Sequence, residues 1–177
     1  TYKVGDNSFI MKNGVEIYGG FDPDHNITDL SHNRIMPDKL GTVGSILDGE
    51  NVRPVIWNVF TGSTALNNTA VLDGFMITKG AYSNGAGIRN VYASPTLQNL
   101  VIAGNKATIS GGGIYNSYSS PVVTNALIAG NIIANMAPGA GVFGAGIINI
   151  NSSAPVLTNI TLTTNLLIAP SGTAKGA

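Results

Sequence analysis

Apolar residues along this chain come in short runs of four to six, rich in Val, Ile and Leu, each closed by Gly, Asn or Ser-Pro. Runs of that length between turn residues predict strands rather than helices. Proline and glycine recur too often for helices of about ten residues or more. The punctuation is periodic. Ser94-Pro95 returns 26 residues later as Ser120-Pro121, and again as Ala154-Pro155 after an insertion. An asparagine follows four residues after each proline, at Asn99, Asn125 and Asn159, and another closes the next apolar run, at Asn105, Asn131 and Asn165. Between these blocks stands a glycine-framed unit: Gly85-Ala86-Gly87-Ile88-Arg89-Asn90, then Gly111-Gly112-Gly113-Ile114-Tyr115-Asn116, then Gly144-Ala145-Gly146-Ile147-Ile148-Asn149.

Three short strands and three turns fit into about 25 residues at about 3.3 Å per residue, which is one rung of a parallel β-solenoid. A rung cannot bury its own apolar face, so it stacks on the next. Upstream, Leu47, Leu72 and Leu97 follow one another at 25-residue spacing, and Val71-Leu72-Asp73-Gly74 echoes Ile46-Leu47-Asp48-Gly49. Ile56-Trp57-Asn58 aligns with Ile88-Arg89-Asn90, and the segment from Val15 to Gly20 reads as a strand ending in a glycine turn. The expected fold class is therefore all-β, a single solenoid domain over 1–177 with about six rungs, roughly 30 Å long at about 4.8 Å per rung. Residues 22–44 are expected to form an irregular loop, and 136–143 a loop insertion at one corner.

Repetition also assigns side chains. Asparagines at equivalent positions would stack into amide ladders, one through Asn90, Asn116 and Asn149 and one through Asn99, Asn125 and Asn159. Ladder formation outweighs a ligand-binding role for these rows. In the strand after the glycine turn, Ile56, Ile88, Ile114 and Ile147 would point inward and Trp57, Arg89, Tyr115 and Ile148 outward. Aromatic rings beside an arginine suit stacking against sugar rings or another protein. The plainer alternative is that strand surfaces favour aromatic and β-branched residues anyway.

Composition narrows the function. Glycine is 23 of 177 residues and charged residues are 10%, with formal net charge zero; soluble proteins average about 25% charged. A neutral chain lacks the basic footprint of a nucleic-acid binder, and no apolar stretch reaches the length of a membrane span. With no cysteine there is neither disulfide nor zinc–thiolate site. Low charge and abundant Asn, Ser, Thr and Gly favour an extracellular or cell-surface setting. No capping element is recognisable at either end, so the chain is expected to be a segment of a longer protein or to have its ends covered by partners.

The block Gly111 to Asn116, Ser119-Ser120-Pro121, Asn125 and Gly130-Asn131, with the stretch from Phe9 to Phe21 and Leu72-Asp73-Gly74-Phe75-Met76-Ile77, resembles the right-handed parallel β-helix repeats of bacterial surface and secreted proteins. Polymorphic outer-membrane proteins and large secreted proteins of Bacteroidetes are of this type. The resemblance covers nearly the whole chain, most weakly 22–44 and the last ten residues. It implies a right-handed helix, export, surface display and adhesion, and it leaves the activity open.

Parallel β-helices also include polysaccharide lyases and hydrolases, whose chemistry needs paired carboxylates or a calcium site. From Phe75 onward there is no Asp, Glu or His, so those rungs hold no such pair. Asp48 and Asp73, at the same place in the Leu-Asp-Gly echo, are expected about 5 Å apart, as in a retaining pair. The downstream equivalents Gln98, Thr124 and Thr158 make ordinary polar strand positions the stronger reading. Asp22, Asp24 and Asn26 have the alternating oxygens that open a calcium loop, but lack its glycine and distal Glu. A solvated loop is the alternative, and no other cofactor is expected. The expected function is a non-enzymatic surface or adhesin module that presents a glycan- or protein-binding face; alternatives are part of a polysaccharide lyase or hydrolase, or a filament subunit self-associating through open ends.

Overall fold

The glycine-framed units open strands that lie side by side. The computed structural model describes residues 1–134, 141–168 and 174–176. In chain order the strands are β1 (Tyr2–Lys3), β2 (Glu16–Tyr18), β3 (Ser45–Asp48), β4 (Ile56–Val59), β5 (Val71–Asp73), β6 (Phe75–Thr78), β7 (Ala81–Asn84), β8 (Ile88–Val91), β9 (Thr96–Ala103), β10 (Lys106–Ser110), β11 (Ile114–Ser117), β12 (Val122–Ala129), β13 (Ile132–Ala134), β14 (Val142–Phe143), β15 (Ile147–Ile150), β16 (Val156–Thr163), β17 (Leu166–Ile168) and β18 (Ala174–Lys175). Every strand pairing is parallel and joins residues of successive turns, giving a β-solenoid of about four turns.

Three sheets form its sides. The first holds eight strands, β1, β2, β3, β5, β6, β9, β12 and β16; the second holds β4, β8, β11 and β15; the third holds β7, β10, β13, β14, β17 and β18. The longest path through the first sheet stacks six strands, β1, β3, β6, β9, β12 and β16, whereas the second sheet stacks four. The N-terminal residues add to two sides: β1 and β2 extend the first sheet, and Phe9 bridges Ile56 at the edge of the second.

Aliphatic residues from successive turns fill the interior. Ile56, Ile88 and Ile114 of the second sheet are buried against Leu72, Leu97, Val123, Ile77, Ile102 and Ile128 of the first, and Ile147 packs onto this column. A smaller cluster of Ala86, Ala107, Ile133, Val142 and Ala145 fills the third corner. Small residues fit there because backbones approach closely: a Cβ on Gly113 would lie 2.5 Å from the Gly146 carbonyl oxygen. Most large apolar side chains of the middle turns are fully buried, each stabilising the fold by about 1.5–3 kcal/mol over exposure.

The first sheet corrects one expected register. Leu72 does pair with Leu97, but Leu47 pairs with Ile77, 30 residues on. The two Leu-Asp-Gly sequences therefore occupy different positions. Asp48 ends the strand before one corner, whereas Asp73 stands before the bend at Gly74, whose φ is +81°. Ile17 pairs with Leu72, 55 residues away, because 22–44 leave the solenoid and return. That segment holds a 3₁₀ turn (Pro23–His25) and no strand. Its later part crosses the outside of the first sheet, where Met36, Pro37, Lys39 and Leu40 border Met76, Val101 and Ala103. Of the expected 136–143 loop, 136–140 lie outside the described residues, and Val142–Phe143 is a strand rather than loop, paired to β10 through Ser110.

Candidate functional site

Trp57, Arg89 and Tyr115 occupy one row because β4, β8 and β11 are in register: Trp57 pairs with Arg89 and Arg89 with Tyr115, and the row continues to Ile148. Strand alternation turns the row outward while its isoleucine neighbours enter the core. The glycine turns make room for it. Gly85 has φ +76°, and a Cβ there would meet the Arg89 Cβ at 2.8 Å and the Tyr115 Cβ at 2.9 Å.

The guanidinium of Arg89 lies 5.2 Å from the Trp57 ring centroid and 4.7 Å from that of Tyr115. Tyr82, from the third sheet, closes around it at 5.9 Å and meets Trp57 edge-on, with centroids 5.1 Å apart and an interplanar angle of 88°. Arg89 Nη1 donates to the Asn84 carbonyl at 3.0 Å, while Nε is buried without a partner. Rings on three sides orient the cation without a carboxylate. Two hollows flank the cluster. One of about 680 Å³ is lined by Tyr82, Lys106, Asn51, Ser83 and Thr108; the other, of about 380 Å³, is lined by Trp57 and Arg53 among others. Neither Tyr82 nor Lys106 lies on the repeat that aligns Trp57, Arg89 and Tyr115 in the sequence. Their places depend on how the corner between the second and third sheets is folded. Tyr92 and Tyr118 stack on each other instead, at 4.7 Å and 6°.

The asparagine rows form continuous amide chains. Asn58 donates to Asn90 at 3.1 Å, Asn90 to Asn116 at 2.9 Å, and Asn116 to Asn149 at 2.9 Å. At its start Asn58 Oδ1 accepts the Met11 N–H at 3.0 Å. The outer row runs the other way: Asn159 donates to Asn125 at 2.8 Å, Asn125 to Asn99 at 3.2 Å, and Asn99 to Asp73 at 2.9 Å. Its residues have φ between +51° and +53°, a region Asn tolerates better than most residues. A third chain, Asn105 to Asn131 to Asn165, is deeply buried at its first two members.

Asp48 and Asp73 do not form a pair. Asp48 lies beside Lys3 and Thr78, and Asp73 beside Tyr18 and Gln98. Each has its own cation, Lys79 at 2.7 Å and Arg34 at 3.0 Å. The expected 5 Å approach fails with the register that suggested it. Burial pushes the Asp48 carboxyl up, but the Lys79 hydrogen bond, the Glu50 N–H and the Lys79 charge together hold it below the ordinary carboxylate range. A folded-state pKa below the unfolded value of about 3.9 contributes stability above that value, lost as pH falls through the folded pKa. Asp48→Asn is thus expected to melt below the parent at pH 7, with the gap closing near pH 2. Equal gaps at both pH values would refute that role.

In the 22–26 turn, Asp22 caps the 3₁₀ turn by accepting the Asp24 N–H at 3.2 Å and contacts His25 Nδ1 at 2.8 Å, and Asn26 ends it at φ +58°. Both Asp22 oxygens thus have protein partners. No group of three His, Cys, Asp or Glu suited to a metal occurs among the described residues, and no helix is long and apolar enough to cross a membrane. No family model, curated protein or solved structure matches the chain.

Proposed function

We propose that this chain is a non-enzymatic extracellular or cell-surface module, a stiff solenoid whose second sheet displays a recognition face for a glycan or a surface protein. The observation that carries this reading is the in-register cluster of Trp57, Arg89 and Tyr115, oriented by internal contacts and open on one side to Tyr82, which is 41% exposed. Rigid aromatic side chains give large contact area at low entropic cost. The low charge and the resemblance of the Gly111–Asn131 block to bacterial surface repeats support export and display. Replacing both Trp57 and Tyr115 by Ser is expected to weaken retention on a glycan array or on cells by about tenfold or more. Unchanged retention of a variant that still melts cooperatively would count against the face.

End-to-end self-association is a second reading, favoured by the last turn. Leu157, Leu162 and Leu166 there are 42–49% exposed, whereas the residues they pair with one turn earlier, Val123, Ile128 and Ile132, are buried or half-buried. Among the described residues no strand pairs beyond β16 and β17, and a free strand edge templates further pairing. Sedimentation velocity should show mass rising with concentration, and Leu162→Lys should abolish the rise. A single species at all concentrations would dismiss this reading.

A further inference from the structure

We infer that the ligand of the second-sheet face is an acidic glycan, a chain of sugars bearing carboxylates. The inference rests on the recognition reading above and names the ligand class for that same site. Residues 75–177 contain four cations, Lys79, Arg89, Lys106 and Lys175, and no Asp or Glu. Lys79 is held by Asp48. Arg89 and Lys106, with Arg53 from the preceding corner, take part in none of the ion pairs among the described residues. These three cations surround the Trp57–Tyr82 edge. Arg53 shares one hollow with Trp57, Lys106 shares the other with Tyr82, and Arg89 lies against both rings. No carboxylate lines either hollow.

A half-buried guanidinium without a counter-ion is costly to keep, and ring contacts offset only part of that. A carboxylate supplies the counter-charge that the cluster and both hollows lack. The surroundings favour a sugar over an acidic peptide. Tyr82 offers an exposed ring for stacking, and Asn51, Ser83 and Thr108 offer amide and hydroxyl groups suited to sugar hydroxyls. Cations on both sides of the ridge suit an extended chain with carboxylates repeated along it.

Calorimetric titration of the intact chain with a uronate hexasaccharide, and with the same oligomer after reduction of its carboxylates to alcohols, tests this. The acidic oligomer is expected to bind about tenfold or more tightly than the neutral one, since hydrogen bonds to charged groups dominate, and to weaken as salt is raised. Arg89→Gln should weaken it about tenfold, Arg89→Lys less because the charge remains, and the exposed Lys106→Gln severalfold. Lys106→Gln keeps the test decisive if Arg89→Gln melts abnormally. Equal binding of the two oligomers would overturn the acidic class and leave the recognition face standing. Binding unchanged in both Gln variants, equal competition by poly-glutamate at matched carboxylate concentration, or no binding of the acidic oligomer would each overturn the inference. The recognition face itself is decided separately by retention of the Trp57/Tyr115 double variant.

Discussion

Asn131→Leu is expected to destabilise the fold by about 3–5 kcal/mol, because several buried polar groups lose their partners at once. Asn131 is fully buried and uses both ends of its amide. Its Nδ2 donates to Asn165 Oδ1 at 3.0 Å and to the Ile102 carbonyl at 2.9 Å. Its Oδ1 accepts from Asn105 Nδ2 at 2.9 Å and from the Asn105 N–H at 3.2 Å. Leucine fills a similar space and satisfies none of these. With about 2–4 °C per kcal/mol at this chain length, the melting temperature should fall by roughly 10 °C. The outer row supplies the control. Asn125 is exposed and has φ +53°, which glycine adopts freely, so Asn125→Gly should change stability by about 0.5 kcal/mol or less. Equal losses in the two variants would show that burial does not set the value of a ladder bond.

Gly80→Ala is expected to cost about 3 kcal/mol or more, at the upper end for overpacking. A Cβ on Gly80 would stand 1.9 Å from the Ala86 carbonyl oxygen and 2.6 Å from its carbon. That carbonyl accepts the Val55 N–H, and the Gly80 N–H itself donates to Asn105 Oδ1 at 2.9 Å. Relief therefore requires moving backbone that joins two turns and the head of the buried ladder. Gly130→Ala is the contrast. Its φ is +61° with open space around it, and Thr164 takes a similar φ, +53°, in the equivalent place of the next turn. Left-handed strain alone costs about 1–2 kcal/mol. Melting curves of the two variants should differ by several degrees, and a Gly80 variant as stable as the Gly130 variant would contradict the close packing of the corner.

The middle of the chain was legible because it repeats at 26 residues. Ile88 and Ile114, Arg89 and Tyr115, Asn90 and Asn116 share positions in sequence and adjacent places in the second sheet. Constant spacing leaves a single register, since a slip by one residue would turn the isoleucines outward. The N-terminal third broke that logic. Leu-Asp-Gly at 47–49 and at 72–74 looks like one position repeated, yet β2 pairs with the strand that holds Asp73, and β3, reached only through 22–44, pairs with the strand after Gly74. The ion pair of Arg34 with Asp73 spans 39 residues and depends on where that crossing segment lies, which no periodicity records. The cluster around Arg89 was half legible for the same reason. Its second-sheet members follow the repeat, whereas Tyr82 and Lys106 reach it around a corner whose bulged pairing between β7 and β10 has no sequence signature.

Trp57 is the only tryptophan in the chain, so its fluorescence reports the proposed face without labels. Titrating the intact protein with the uronate hexasaccharide while recording Trp57 emission and acrylamide quenching tests the central claim most directly. A saturable emission change with reduced quenching, following the same curve as calorimetric binding, is the predicted result. Calorimetric binding with Trp57 emission and quenching unchanged would place the ligand elsewhere and contradict it.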